Sequence, residues 1–544
     1  TRSVARLYSV LRFLSNINTY SGNKMKKLYI SMMLLGAMAF SSCDMDLKPV
    51  DRLEEETAIQ NSQDLRQFRN TLYTNLRSVT SGAFVYLTDI QLDGFNGLIS
   101  NGNNLSDFSY GQIYPTNENV TGYWSSNYVM ISNANALIGK AEGLRASSAY
   151  TDEQKVAFAR YEGEALFTRA FGYFNLVEHY SKPYTQTDPN AAHSGVPLVT
   201  TYSPTGDVTK YPGRATLAEV YALIESDLQA AYDALKAYEE SGYTDKFTEQ
   251  YETDKTAYLT SYAVAAMQAR VALVKGDYQT AWDKATSIIT SNKYKLVLRS
   301  AFTKMWKNDT GSEIIFQPFM SDTEKGGSNG GIFQKEDESD PYYIPNYGTL
   351  MMFVENEGDI RYDAWFTQYS DFLIEGQSYK AYIFCKYPGN ASINTTKNEF
   401  VNKTKVFRTS EMYLIAAEAG ARLGGDKLSQ ANKYLNDFCK KRYTGYKDKT
   451  YSANELIKQT LAERKREFIG EGMLWSDLRR TNEGFQRISN FDIGDPEFDK
   501  INGVIFNVGK NLKYEAGDYR FTWPIPKDEI DSNPQMKGQQ NPGY

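Results

Sequence analysis

The sequence predicts a mostly α-helical fold in which helices are paired and two irregular segments interrupt them. Three observations favour this fold: apolar residues recur at helical spacing, three capping boxes mark helix starts, and one helix-turn-helix pattern occurs twice. The chain has 544 residues, of which 41% are hydrophobic and 23% charged. That composition is typical of a globular chain, and the length allows a large core.

The helices are predicted in chain order from apolar periodicity and from their end signals. A first helix over 61–77 places Leu65, Phe68 and Leu72 on one stripe. The capping boxes Thr151-Asp-Glu-Gln154, Thr216-Leu-Ala-Glu219 and Ser452-Ala-Asn-Glu455 start three others. The remaining predictions are helices after Trp124 to about 144, over 152–180, 217–238, 257–275, 278–291, 409–423, 427–442 and 453–470, and a short strand over 313–317.

A short sequence pattern occurs twice in the helical regions. Ala272-Leu-Val-Lys-Gly-Asp277 is repeated in outline by Ala421-Arg-Leu-Gly-Gly-Asp426, and in each case a glycine turn joins a small-residue helix to a second helix. Small residues let paired helices approach closely, so the pattern favours degenerate tetratricopeptide-like pairs over unrelated helical hairpins.

The segments 81–128 and 318–404 are predicted to be irregular. Gly, Asn, Ser and Tyr are frequent there and helical periodicity fails, while aromatic residues make up 14% of the whole chain. Long ordered loops usually serve a function, and tyrosine suits both core packing and wet binding faces. We therefore expect a binding site in these segments.

The N-terminal region predicts export and lipid anchoring. Met25-Lys-Lys27 precedes an apolar run, Leu28–Phe40, and the small pair Ser41-Ser42 stands before Cys43. We interpret 1–24 as an untranslated leader, 25–42 as a lipoprotein signal peptide with Cys43 as the lipidation site, 43–52 as a tether and 53–544 as the folded domain. The alternative is a plain secreted protein with an incidental cysteine at this position.

Composition and motifs exclude several function classes. With 66 acidic against 60 basic residues the formal net charge is -6, which argues against a nucleic-acid partner. Only two histidines, His179 and His193, are present, so a His-rich metal site or relay is excluded. Cys385 and Cys439 could pair in an exported protein, but two free thiols are the favoured interpretation.

The densest charge cluster lies at Glu463-Arg-Lys-Arg-Glu467, followed by Trp475 and Asp477. Glu463 and Glu467 could be the carboxylate pair of a glycoside hydrolase. We favour a structural role, in which Glu463, Arg466 and Asp477 form an ion-pair network and Glu467 stays ionised beside Arg464 and Arg466. Three further residues, Arg408, Glu411 and Glu418, are interpreted as charges between paired helices.

A set of short motifs runs in order through the mature chain. Its members are Cys43 and the motifs at Trp124, Gly163-Glu-Ala165, Arg169-Ala-Phe171, Arg214-Ala-Thr216, Gly276-Asp-Tyr278, Arg408-Thr-Ser-Glu411, Glu463-Arg464, Glu471-Gly472, Trp475-Ser-Asp477, Pro524-Ile-Pro526 and Gln540-Asn-Pro-Gly-Tyr544. Together these motifs resemble the SusD-like (RagB/SusD) outer-membrane lipoproteins of Bacteroidetes. The resemblance covers the whole mature chain. It implies four tetratricopeptide-like helix pairs forming a superhelical scaffold, with an irregular, loop-rich lobe that carries the ligand site.

The resemblance also implies a function. A surface-exposed, lipid-anchored outer-membrane protein captures an oligo- or polysaccharide and delivers it to a SusC-like TonB-dependent transporter. It has no catalytic residue, cofactor or metal. A peptide-binding relative on the same scaffold remains an alternative, as does, with less support, a surface glycoside hydrolase.

A glycan site needs aromatic rings that stack on sugar C–H faces and amides or carboxylates that bind hydroxyls. Asp93 is the first candidate because Leu92-Asp93-Gly94 occupies the place of a loop aspartate in the family. The further expected ligand-binding residues are Phe95, Asn96, Tyr110, Tyr342, Tyr343, Asn346, Tyr347 and Trp365.

Overall fold

Long helices form most of the fold in the computed structural model, which confirms the mostly α-helical prediction. The structure describes residues 59–101, 104–244, 246–334, 340–354, 356 and 358–544. The predicted leader, signal peptide, tether and Cys43 lie outside these ranges. Residues 61–544 form one body, and the description below concerns that body.

The helices of the described residues include all those predicted from the sequence and also others that were not predicted. They are α1 (Ser62–Val79), α2 (Ala83–Gln91), α3 (Ser106–Ser109), α4 (Glu118–Ala146), α5 (Asp152–Tyr180), α6 (Leu217–Ser241), α7 (Lys246–Tyr251), α8 (Ser261–Lys275), α9 (Tyr278–Thr290), α10 (Arg299–Asn308), α11 (Tyr347–Val354), α12 (Ile360–Trp365), α13 (Thr409–Leu423), α14 (Lys427–Arg442), α15 (Ala453–Glu467), α16 (Met473–Thr481), α17 (Pro496–Asp499) and α18 (Lys527–Ser532).

All three capping boxes mark a helix start, and two of them form the hydrogen bonds of the motif. Thr151 and Thr216 each accept a hydrogen bond from the backbone N–H three residues on, and the Gln or Glu at that position bonds back to the capping residue. At Ser452 the helix does begin at the next residue, but the serine side chain makes no capping hydrogen bond. The third box is therefore wrong as a hydrogen-bonded motif.

Neighbouring helices pack in pairs along the chain: α5 lies against α4 and α6, α8 against α9, and α13 against α14. Gly276 ends α8 in a left-handed conformation with φ +88°, which lets the chain turn into α9. Small residues allow close approach elsewhere, since a Cβ on Gly163 of α5 would lie 2.9 Å from Ala234 of α6. The repeated helix-turn-helix pattern therefore does form paired helices.

The two segments predicted to be irregular contain more regular structure than expected. Segment 81–128 holds α2 and β1 (Phe95–Gly97), and α4 begins at Glu118, ahead of Trp124. Segment 318–404 holds β3 (Tyr343–Pro345), α11, α12 and a hairpin of β4 (Phe366–Ile374) and β5 (Gln377–Phe384). The hairpin turns at Glu375-Gly376, where both residues have positive φ, as a two-residue turn of this kind requires.

The strands form two-stranded antiparallel sheets that join distant parts of the chain. The predicted strand 313–317 is β2 (Ile314–Phe316), which pairs with β6 (Phe407–Arg408) at the start of α13. In the C-terminal region, β7 (Phe485–Gln486) pairs with β8 (Lys513–Tyr514). The sheet of β1 and β3 joins the two irregular segments to each other.

Candidate functional site

The expected binding residues from the two irregular segments meet at the sheet of β1 and β3. Its register places Phe95 opposite Pro345, Asn96 opposite Ile344 and Gly97 opposite Tyr343. Residues 93–97 and 342–347 are therefore neighbours in the fold. A hydrogen bond from the Asn346 side chain to the Asp93 carbonyl joins them across 253 residues of sequence. We call this surface, made of Asp93, Tyr342, Tyr347 and their surroundings, the lobe site.

Asp93 is held from both its backbone and its side chain. Its carbonyl oxygen accepts hydrogen bonds from the side chains of Asn346 and Thr349. One carboxylate oxygen, Oδ2, lies 2.6 Å from Nζ of Lys465. The other, Oδ1, is buried and has no hydrogen-bond partner among the described residues. A buried carboxylate oxygen without a donor is energetically unfavourable, so Asp93 is a carboxylate whose hydrogen-bonding capacity is only partly used.

Three of the predicted rings, those of Tyr110, Tyr342 and Tyr347, are half-buried. The Tyr110 ring packs edge-on against Phe506 with centroids 6.3 Å apart. Tyr347 donates its hydroxyl to the carbonyl of Asp492 at 3.2 Å. Rings held in this way keep part of their surface in solvent while their orientation is fixed, as a stacking platform requires.

Two further predicted rings, those of Phe95 and Trp365, lie in the core with no exposed surface. Phe95 packs against Phe333 with ring centroids 4.3 Å apart. Trp365 packs edge-on against Trp306, and the Lys386 ammonium lies 4.0 Å from its ring centroid. Both rings therefore contribute to packing, and we do not include them among the ligand contacts.

Three further predicted residues with polar side chains are also buried next to the lobe site: Asn96, Tyr343 and Asn346. Asn96 donates to the carbonyl of Ser489 at 3.1 Å, and Tyr343 donates to the carbonyl of Asn104 at 2.7 Å. Burial raises the pKa of Tyr343, so its hydroxyl stays a neutral donor. These residues fix the backbone that presents Asp93 and Tyr342.

Two residues of this surface escaped the sequence-based prediction. Lys465 was grouped with the charged cluster of α15, yet it pairs with Asp93 across 372 residues of sequence. The half-buried Tyr86 of α2 has a pKa raised to about 12 by burial and, to a smaller extent, by the neighbouring Tyr342. No local pattern marks either residue, because both reach the site only through tertiary packing.

Comparison with known proteins identifies the family to which this fold belongs. Residues 45–273 match a family model described as "Starch-binding associating with outer membrane", and residues 367–544 match the model of the SusD family. The chain belongs to the SusD-like family. The two matches cover most of the chain and confirm the resemblance seen in the sequence motifs.

Relatives of this SusD-like chain extend over nearly its whole length. It is 24% identical over 568 aligned residues to SusD-like protein P38 of Formosa agariphila, an alignment that covers 96% of this chain and 100% of the relative. A SusD superfamily protein from Bacteroides thetaiotaomicron has a TM-score of 0.73 at 26% identity, covering 89% of this chain and all of its own. A laminarin-binding SusD-like protein shares the fold with a TM-score of 0.64 at 20% identity, covering 89% and 100%.

The charge cluster of the SusD-like scaffold is buried and its carboxylates are paired with arginines, which confirms the structural interpretation of Glu463 and Arg466. Glu463 lies 2.7 Å from Arg466 and 2.8 Å from Arg361. Burial alone would raise the pKa of Glu463, but Arg361 and Arg466 outweigh it and lower the pKa to about 2. Neither Glu463 nor Glu467 is suited to act as a general acid in this state.

The partners of Glu467 differ from those expected. Arg442 lies 2.8 Å from its carboxylate and Arg361 lies 3.2 Å away, and Arg408 contacts it as well. These arginines keep the pKa of Glu467 well below its ordinary value, although burial alone would raise it. Arg464, the neighbour suggested by sequence, pairs instead with Asp477, so the expected single network is two clusters.

The helix-pair interpretation of Glu411 and Glu418 is confirmed. Glu411 of α13 binds Arg270 of α8 at 2.7 Å, and Glu418 binds Arg480 of α16 at 2.6 Å. Burial would raise the pKa of Glu418, but Arg480 and Arg422 lower it to about 2. These pairs join α13 to α8 and to α16.

Three further residues considered for chemistry, His179, Cys385 and Cys439, are buried or half-buried. Burial lowers the pKa of His179 to about 3, and its ring nitrogen Nδ1 lies 2.8 Å from the carbonyl of Asn175. Cys385 and Cys439 are free thiols. Within the described ranges, no group of three or more His, Cys, Asp or Glu side chains is placed to hold a metal ion. No helix described here is long and apolar enough to cross a membrane.

Proposed function

We propose that this SusD-like chain is a non-catalytic cell-surface protein that captures an oligo- or polysaccharide at the lobe site and delivers it to a SusC-like TonB-dependent transporter. Membership in a family whose model is described as starch-binding supports the ligand class. The solved relative named as laminarin-binding is a glycan binder with the same fold.

The observation that carries the proposal is the pairing of an available acceptor with oriented rings. Oδ1 of Asp93 has no donor in the described part of the chain, and the half-buried rings of Tyr342 and Tyr347 lie in the segment next to it. A sugar ring presents C–H faces to aromatic rings and hydroxyls to carboxylates. Asp93 would orient the sugar, and the tyrosines would stack on it.

Membrane attachment is proposed to come from a diacylglycerol that the Cys43 thiol takes before residues 25–42 are removed. The basic start, the apolar run and the small pair before the cysteine support it. Palmitate labelling followed by protease shaving of intact cells tests it, with Cys43→Ala expected to be unlabelled and released. Pull-down from solubilised outer membrane should recover a larger transporter, and recovery of the chain alone would count against the partnership.

Ligand binding is tested on a glycan array beside a peptide pool, followed by calorimetric titration of the best glycan. We expect Asp93→Ala to weaken binding about tenfold, the effect of one charged hydrogen bond. The exposed Asp528 provides the matched control, and Asp528→Ala should bind as the wild type does. Binding of peptides alone would replace the glycan by a peptide ligand, and release of reducing sugar would overturn the non-catalytic assignment.

A further inference from the structure

A second cavity lies in the helical scaffold, beside α14, α15 and the segment that connects them. Its volume is about 340 Å³, within the range of small-molecule pockets, about 300–1,000 Å³. None of the lobe-site residues lines it. The side chains that matter most in its wall are Tyr443, Tyr446, Lys447, Lys449, Tyr451 and Arg466.

The wall of this cavity carries an excess of positive charge in a chain whose formal net charge is -6. Its carboxylate, Glu463, is already bound by Arg361 and Arg466 and accepts a hydrogen bond from Tyr443 at 2.6 Å. Lys447 and Lys449 are exposed at the cavity, and no described carboxylate lies within ion-pair distance of either. The Lys449 ammonium lies 5.6 Å from the ring centroid of Tyr446. Two ammonium groups without a carboxylate partner at one cavity favour an anionic ligand.

Arg466 supplies an independent indication of a missing partner. Its Nη2 donates to Glu463 at 2.7 Å, but its Nε is buried and has no hydrogen-bond acceptor among the residues described. The side chain is only 12% exposed. An arginine prefers to engage carboxylate or sulfate oxygens with more than one nitrogen, and an unpaired buried N–H is unfavourable. An anion in the cavity would satisfy it.

The tyrosines give the cavity a flat, partly apolar wall. The rings of Tyr443 and Tyr446 are nearly parallel, with centroids 6.0 Å apart and an interplanar angle of 27°. Tyr451 is half-buried beside them. Aromatic walls next to basic groups suit a ligand that combines a ring with C–H faces and a negative substituent.

We propose that this cavity binds a mono- or disaccharide that carries a carboxylate or sulfate group. The anion would lie against Lys447, Lys449 and Arg466, and the sugar ring against the tyrosines. This second site goes beyond the proposed function of the lobe site, because it selects for charge and uses none of the same side chains.

The test is calorimetric titration of the full mature chain with four probes: D-glucuronate, glucose 6-sulfate, glucose and inorganic sulfate. We expect both charged sugars to bind, glucose to show no binding at this site, and sulfate alone to bind more weakly than the sulfated sugar. Raising the salt concentration should weaken binding of the charged sugars, since exposed ammonium groups are screened. Hydrogen exchange should show ligand-dependent protection over residues 443–451.

The decisive variant is the double substitution K447Q/K449Q, which should weaken binding of both charged sugars at least about tenfold. Both lysines are exposed, so the melting temperature should stay at the wild-type value. Lys458, exposed on α15 and absent from the cavity wall, provides the control K458Q, which should bind normally.

Unchanged affinity in K447Q/K449Q, equal binding of glucose and glucuronate, or protection elsewhere in the chain would overturn the proposal. The outcome is separable from that of the lobe site. Asp93→Ala should leave binding of glucuronate unchanged, and K447Q/K449Q should leave binding of the glycan preferred at the lobe site unchanged.

Discussion

Two carboxylates, Glu467 in the helical scaffold and Asp93 in the lobe site, show how the same chemical group takes different roles. Glu467 is fully buried and contacts Arg361, Arg408 and Arg442. The Asp93 side chain is 12% exposed, pairs only with Lys465 among the described residues, and keeps one oxygen without a donor. The two carboxylates differ most in the number of cationic side chains that bind them, which is three for Glu467 and one for Asp93. A carboxylate saturated by arginines stabilises the fold, whereas one with a spare acceptor can bind a ligand.

The largest expected effect is on stability, from Glu467→Gln. Neutralising this group leaves three arginines around an uncharged amide. Breaking a buried charge pair lowers the free energy of unfolding by about 3–5 kcal/mol. Urea denaturation followed by circular dichroism measures the change.

The matched control for this substitution is Glu497→Gln, since Glu497 is 63% exposed and pairs with an exposed lysine. It should unfold as the wild type does, because exposed pairs contribute little. A fully stable Glu467→Gln that fails to bind glycan would mean that the ligand site has been placed in the wrong region.

Acid should destabilise the scaffold next most strongly. The pKa values of Glu418 and Glu463 are lowered to about 2 in the folded chain, against about 4.3 for an ordinary glutamate. Their stabilising contribution is complete above that ordinary value and is lost as the pH falls towards 2. Between its ordinary pKa and pH 3, the lowest pH measured, each group accounts for about 2 kcal/mol. Urea unfolding at pH 7, 5, 4 and 3 measures it.

Glu463→Gln sharpens this prediction because it removes one of the two titrating groups. The free energy of unfolding of this variant should fall less steeply with decreasing pH than that of the wild type. An identical slope in both proteins would show that Glu463 does not have the lowered pKa described above.

A pair of neighbouring tyrosines separates binding from stability within the lobe itself. Tyr342 is half-buried, and Tyr343 is buried with its hydroxyl bound to the carbonyl of Asn104. Tyr342→Ala should weaken glycan binding about tenfold, the effect of losing one stacking ring. Tyr343→Phe should lower the free energy of unfolding by about 1 kcal/mol and leave affinity unchanged. Calorimetric titration and thermal unfolding of both variants test this prediction. Weaker binding in Tyr343→Phe with normal binding in Tyr342→Ala would show that Tyr343, and not Tyr342, contacts the glycan.

The smallest expected effect comes from Lys465→Gln. The Lys465 side chain is 33% exposed, so its pair with Asp93 is partly screened by solvent. We expect affinity for the glycan to change by less than about threefold, because the ligand uses the other carboxylate oxygen. A much larger loss of affinity would place the lysine itself in contact with the sugar.

The sequence predicted the scaffold well because its helices are specified locally. The periodic apolar residues of α5 and the hydrogen-bonded caps at Thr151 and Thr216 need no information from distant parts of the chain. The hairpin of β4 and β5 was missed because most of β4 is exposed, so its strand lacks the strong apolar alternation by which strands are found.

The lobe site was predicted only as a group of residue types. The segments that hold Asp93 and Tyr342 do come together, but Trp365 is buried because Trp306 and Lys386 arrive from elsewhere in the chain. Burial depends on such partners, and one sequence does not reveal them. For the same reason Lys465 was assigned to the scaffold cluster, although it binds Asp93.

The pairing of β1 with β3 and the ion pair of Asp93 with Lys465 also set an order of assembly. The carboxylate and its lysine are 372 residues apart in sequence, whereas the helices of each scaffold pair are neighbours along the chain. Contacts between near neighbours form sooner than contacts that close long loops. Early helix pairs such as α4 and α5 can therefore fold before α15 joins the lobe. We expect the lobe site to be completed late, after the helix pairs of the scaffold have formed.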